Sequence, residues 1–263
     1  MTRPTLSVII PSRTCEAQTT FLTHALESIE AQTVRDEFAI SIIVAVDRGC
    51  RPALDAFASH VEMTIAESHE TQSQAAALNA ALRQSGSQFV AFLEDDDAWY
   101  PAFLAHATAM LAAGAGFVSS TQLEFDETDS VVRINDFPTA SGWFMPAQTL
   151  ERVGEFNESL RLHLDNEWLG RLAETRVRRC HLAESTAPRE ASLMRQVRPW
   201  LYNVLACGGT SSEIVRHVSP IPLVRRLVHA QSGMARIARD PEFRRISDAE
   251  RSALRERFGR LPW

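Results

Sequence analysis

A chain of 263 residues is long enough to bury one large core, or a core with a smaller lobe. Hydrophobic residues at 45% and charged residues at 23% are the proportions of a soluble globular protein, and a net charge of −6 argues against a nucleic-acid binder. All 27 basic residues are arginine. Cys15, Cys50, Cys180 and Cys207 are scattered without CxxC spacing, which predicts reduced thiols and neither a disulfide framework nor a zinc site. The first apolar run is too short for a signal peptide, and no stretch approaches ~18 apolar residues. A cytoplasmic protein that does not cross a membrane is expected.

In chain order, Leu6 to Ile10 is a β-branched run closed by Pro11, a first buried strand. Apolar residues recur at helical spacing from Phe21 to about Gln32. Ala39 to Val46 is a second buried strand ending at Asp47. A short helical stretch around Pro52 to Ala58, a weaker strand Val61 to Ala66 and an alanine-rich helix Gln72 to Leu82 follow. Phe89 to Leu93 is again a buried strand, and a helix is expected from Phe103 towards Leu111. Strands alternating with helices imply βαβ units, and right-handed crossovers put their strand ends on one edge. After Gly116 the pattern changes. Phe117 to Ser120 reads as a strand and Thr121 to Ile134 as an antiparallel hairpin. Helices are expected at Ala147 to Val153 and Asp165 to Glu174, and from about Arg198 onward. The last quarter is locally basic, with 14 of the 27 arginines from Arg189 onward.

Between the third buried strand and its helix stand four acids, Glu94, Asp95, Asp96 and Asp97. Adjacent carboxylates repel, more so as water is excluded, and a divalent cation relieves that repulsion. Hard oxygen ligands suit magnesium or manganese. A solvated acidic turn is an equal reading of these four residues alone. With Asp47 they are expected to share a crevice at the carboxyl edge of the sheet, where open α/β sheets bind ligands.

The motifs taken together resemble the family 2 glycosyltransferases, inverting enzymes of the GT-A fold. LSVIIPSRT is similar to the family's first strand, LESIEAQT to its "L.S...QT" helix, and IIVAVDRG to "IIVVDDGS". QAAALNAAL resembles "AAARN.GL", FVAFLEDDDAWYP resembles "YIAFLDDDDLWYP", and ERVGEFNESL with LDNEWLGRL resembles the segment that carries the general base. The likeness runs from Leu6 to about Arg171. It implies an open, mostly parallel, Rossmann-like sheet flanked by helices, with a smaller mixed acceptor region and a helical C-terminal extension. The corresponding division is residues 1–115 for the nucleotide sugar, 116–197 for acceptor and catalysis, and 198–263 for the extension.

The same resemblance implies the site. Pro11, Ser12, Arg13, Asp47, Asn79, Glu94 and Asp95 fall at nucleotide-binding positions, Asp47 at the one that contacts the base, commonly uracil. The D-x-D signature falls on Glu94, Asp95 and Asp96, with Asp96 as the ligand of Mn2+ or Mg2+. Asp165 matches the general base, and Leu164 stands where the family has a glutamate. Trp143 and Phe144 are expected as a wall for the sugar, because aromatic rings stack on its apolar face. The family's histidine on the C-terminal side has no match in PREASLMR, which keeps Arg189 as a diphosphate contact, and the eight histidines read as ordinary surface or core residues. The implied activity is inverting transfer from a nucleotide sugar, UDP-linked by preference, to a glycan, lipid-linked or small-molecule acceptor. A non-catalytic nucleotide-sugar binder or partner subunit is the rival reading. A sugar-phosphate nucleotidyltransferase is disfavoured because the first loop lacks glycine. The arginine-rich tail suggests contact with anionic lipid at the inner face of a membrane, or a homodimer contact.

Overall fold

In the computed structural model, the described residues are 2–13, 16–50, 62–70, 73–135, 137–184, 214–219 and 223–262. The helical stretch expected at residues 52–58, and Arg189, lie outside them. Strand β1 (Thr5–Ser12), helix α1 (Glu16–Glu30), strands β2 (Ala39–Val46) and β3 (Glu62–Glu67), helix α2 (Gln74–Gln84) and strand β4 (Phe89–Phe92) build the first half. The central strands are apolar on both faces, the composition of parallel strands covered by helices on each side. β1 and β2 run parallel from Thr5 opposite Ala39 to Ser12 opposite Val46. Their ends therefore lie level. α2 starts at Ser73, whose hydroxyl accepts the Ala76 N–H at 3.2 Å. Its buried alanines let the helix lie close on the sheet.

Strand β5 (Asp97–Trp99), helix α3 (Phe103–Ala112), strands β6 (Phe117–Ser120), β7 (Gln122–Asp126), β8 (Val131–Asn135) and β9 (Phe144–Pro146) and helices α4 (Ala147–Val153) and α5 (Leu164–Glu174) follow. Then come strands β10 (Arg179–Glu184), β11 (Ile214–Ser219) and β12 (Val224–Val228) and helices α6 (Gly233–Arg239) and α7 (Pro241–Phe258). Among the described residues the main sheet has eight strands, in the order β11-β10-β6-β9-β4-β1-β2-β3. Only β9 runs against the rest, wedged between β4 and β6. A second, mixed sheet has the order β5-β12-β7-β8, and β7 with β8 is the expected hairpin.

The tail corrects the expectation of helix from Arg198 onward. Its described part begins with two strands, β11 extending the main sheet and β12 lying between β5 and β7. β12 begins and ends in valine, which packs well on a pleated surface. Helix begins at Gly233. α7 has its start and stop written in its residues: Asp240 caps it, Pro241 opens it, and Gly259 ends it in the left-handed region at φ 73°. Two apolar clusters cover the two faces of the main sheet. One holds Leu22, Leu26, Phe103 and Leu104. The other holds Leu78, Trp143, Phe156, Trp168 and Leu172. Among the described residues no helix is long and apolar enough to cross a membrane.

Candidate active site

β1, β2 and β4 end side by side, so Ser12, Asp47 and the acid run meet at one edge of the sheet. The four acids do not act as a block. Asp95 is buried and turns towards β1, where the Ser12 hydroxyl donates to its Oδ2 at 2.6 Å. Asp97 opens β5 and turns the other way. The Ser141 hydroxyl donates to its Oδ2 at 2.5 Å, and the Leu227 N–H donates to its Oδ1 at 3.2 Å. Glu94, Asp96 and Asp97 each offer an oxygen, and these oxygens lie within 4.8 Å of one another. The candidate cluster thus holds Glu94 and Asp96 of the expected D-x-D match together with Asp97, while Asp95, the middle residue of the match, turns to Ser12. The cause is a turn: the Asp97 N–H donates to the Glu94 carbonyl at 3.1 Å, which brings the two ends of the acid run together.

Two residues from the tail complete the cluster. His229 Nε2 lies 2.9 Å from Asp96 Oδ2, with the His229 ring packed 5.4 Å from that of Phe21. Arg226 sits opposite Asp97 in the β5–β12 pairing, and its Nη1 donates to Glu124 Oε1 at 3.0 Å. Glu124 is itself buried and also held by Arg133 and Asn135. Sequence reasoning missed both Arg226 and His229. The family's histidine was sought in PREASLMR, whereas His229 follows a strand that only the fold brings beside Asp96.

Burial and the Asp96 charge push the Glu94 carboxyl up to about 7, and the same two causes push Asp95 up to about 7. Asp97 is raised well above the usual carboxylate range, first by burial and then by Asp96 and Glu94. The hydrogen bond to Asp96 raises His229 against the opposing effect of burial. For Arg226, burial works against the charge, but Asp97, Glu94 and Glu124 outweigh it and hold the guanidinium protonated. Carboxylates crowded until their protons are hard to remove, with an imidazole beside one of them, fit a hard divalent cation by donor chemistry.

Asp165 occupies the first turn of α5, and the cap position belongs to His163. Its Oδ1 accepts the Asn166 N–H at 2.8 Å, and burial raises its pKa. Its charge contributes to raising the Glu94 pKa, so Asp165 lies within electrostatic reach of the acid cluster. Leu164, where an acid was expected, packs in the apolar cluster under α5. Asp47 lies at the edge with one carboxylate oxygen occupied: Oδ1 accepts the Ser73 N–H at 3.1 Å, tying the end of β2 to the start of α2. Gln74, on the same turn, reaches Glu94. Pro11 is half-buried, and Arg13 is exposed near enough to lower the Asp95 pKa.

Three expected site residues are elsewhere engaged. Asn79 is buried, and its amide donates to the Phe156 carbonyl and Glu158 and accepts the Phe156 N–H. It pins the 156–158 loop and has no free face for a nucleotide. Trp143 and Phe144 are 0% exposed. Trp143 stacks on Phe156 and lies against Trp168, and Phe144 stacks on Phe89. Because β9 is inserted between β4 and β6, these rings are core and cannot wall a sugar pocket.

A mostly parallel sheet with an acid cluster at its carboxyl edge, and a smaller mixed sheet completing that edge, is the GT-A arrangement. The chain belongs to the family described as Glycosyl transferase family 2, which matches residues 7–169. Among solved structures it is similar to a mannosyltransferase of Pyrobaculum calidifontis determined with GDP-Man and Mn2+, at 21% identity and a TM-score of 0.54. That match covers 75% of this chain and 61% of the mannosyltransferase chain, so this chain spans less than two-thirds of that relative. It is also similar to S. aureus TarS 1-349 in complex with UDP, at 13% identity and a TM-score of 0.58, covering 97% of this chain and 72% of that one. A search of curated protein sequences gives no match.

Proposed function

We propose that the protein transfers a sugar from a nucleoside-diphosphate donor, UDP-linked by preference, to an acceptor hydroxyl in one inverting displacement. The observation that carries this reading is the convergence of Glu94, Asp96 and Asp97 at the edge where β1, β2 and β4 end, with Asp165 near enough to perturb Glu94. The nucleoside half of the donor lies along Pro11, Ser12, Arg13 and Asp47. Glu94, Asp96 and Asp97, with His229 beside Asp96, are the residues that would hold Mn2+ or Mg2+; when bound, the ion supplies positive charge against the leaving diphosphate.

Asp165 takes the acceptor proton on a carboxylate oxygen while the acceptor oxygen bonds to the anomeric carbon. The bond from that carbon to the diphosphate oxygen breaks on the opposite side. Arg226 adds a fixed positive charge beside the cluster, in a setting with little water to screen it. The base works only when ionised, and its raised pKa makes it a stronger base at the cost of activity in acid. The nucleoside diphosphate in the GDP-Man and UDP complexes of the two neighbours is the common feature of their ligands.

The test is thermal denaturation with UDP, GDP, dTDP and CDP, each with and without manganese. A ligand at ~100 times its dissociation constant stabilises by ~2.7 kcal/mol. UDP with manganese is expected to give the largest shift. A larger shift with GDP removes the uracil assignment, and no shift with any of the four removes the donor site. The non-catalytic reading survives if nucleotides bind and no sugar is transferred from any donor.

A further inference from the structure

The segment that leads into α5 is held from the far end of the chain. The Glu250 carboxylate, from the middle of α7, accepts the backbone N–H groups of Arg161, Leu162 and His163 at 2.7, 3.1 and 2.9 Å. Three successive amides converge on one anion, the geometry of a backbone nest at a helix start. Two polar side chains within two residues of Asp165, His163 and Asn166, are also tied to the C-terminal segment. His163 Nε2 is hydrogen-bonded to Ser247 Oγ at 2.8 Å, and the Asn166 amide donates to the Pro262 carbonyl at 2.6 Å. One turn further on, Arg257 pairs with Glu167 at 2.9 Å. Phe258 lies so close to Gly170 that a Cβ there would stand 2.7 Å from its ring.

We infer that Glu250 is a positioning residue for Asp165, and that α7 belongs to the catalytic apparatus. This rests on Asp165 being the base. The sequence suggests that the tail serves location or partner binding; Leu254 and Phe258 of its long helix turn inward against the domain. Among the described residues the buried Glu250 carboxylate is balanced by backbone amides, a costly arrangement for a helix that only decorates a surface. What it secures is the first turn of α5. A displacement of about 1 Å at a reacting group can cost on the order of 10²-fold in rate.

The test is a double-mutant cycle on Glu250→Gln and Asp165→Asn in the full chain. It reads nucleoside diphosphate released from UDP-GlcNAc and GDP-mannose with manganese and simple glycoside acceptors, alongside melting temperatures. Glu250→Gln is expected to lower kcat by roughly 10- to 100-fold with the donor KM within about twofold, and to cost nothing further in the Asp165→Asn background. A wild-type kcat in folded Glu250→Gln, or losses that multiply, overturns the positioning role and leaves the base intact. Asp165→Asn at the wild-type rate, or a wild-type chain that binds donors but turns over neither, removes the base and the positioning role together. If Glu250→Gln does not fold, Glu250→Asp replaces it in the cycle, shortening the carboxylate that holds the Arg161, Leu162 and His163 amides, with the same results supporting or overturning the role.

Discussion

Replacing Asp95 by asparagine isolates one buried titration. In the fold Asp95 is 7% exposed, and its pKa stands at about 7 against an ordinary 3.8. The folded state therefore keeps this proton to higher pH than the unfolded chain does. Stability is fullest at low pH and is lost as pH rises between those two values. A gap of about three units at ~1.4 kcal/mol each bounds the loss at roughly 4 kcal/mol. For a chain of this size that corresponds to at most about 8 °C in melting temperature. Asparagine keeps an acceptor for the Ser12 hydroxyl and cannot ionise. With a chelator present, melting curves of wild type from about pH 5 to about pH 8 should fall, and those of Asp95→Asn should fall several degrees less. Curves that stay parallel across that range would refute the argument that burial and the Asp96 charge keep Asp95 protonated.

Two further perturbations separate structure from binding. Asn79→Ala removes three hydrogen bonds between α2 and the 156–158 loop; at about 1 kcal/mol each it should cost roughly 3 kcal/mol by denaturant unfolding. The affinity of the folded variant for UDP by calorimetry should change little, and a selective loss of UDP binding would return Asn79 to the nucleotide site. His229→Ala should abolish most of the manganese-dependent part of the UDP thermal shift while leaving the metal-free part, and an unchanged manganese response would take His229 out of the cluster.

The elements that were legible are those whose signal is local. β1, β2 and β4 announce themselves as unbroken apolar runs, α2 by its alanines, and the β7–β8 hairpin by alternation around Asp-Glu-Thr-Asp. The site was half legible for the same reason. An acid run closing a buried strand marks the edge, but which acids converge depends on where β5 begins. That is set by pairing with β12, more than a hundred residues away, so no local pattern separates Asp97 from Asp95. Arg226 and His229 arrive by the same pairing, from a stretch whose arginines made it look like a solvated helix. Trp143 and Phe144 misled in the opposite sense. Aromatics after Ser-Gly looked like a surface platform, and only the insertion of β9 between β4 and β6 reveals them as core. Asn79 looked like part of a nucleotide motif, but its amide is satisfied by a loop 77 residues on.

The central claim is that Asp165 removes the acceptor proton. Asparagine there retains an acceptor for the Asn166 N–H and leaves the His163 cap position untouched, so the fold should survive. The direct measurement is the rate of sugar transfer, and the anomeric configuration of the product by NMR, for wild type and Asp165→Asn on any nucleotide sugar the wild type uses. Transfer by the variant should fall by about 10²–10⁴-fold with donor binding retained, and the wild-type product should be inverted relative to the donor. A folded Asp165→Asn chain that transfers at the wild-type rate, or a product with retained configuration, would contradict the account.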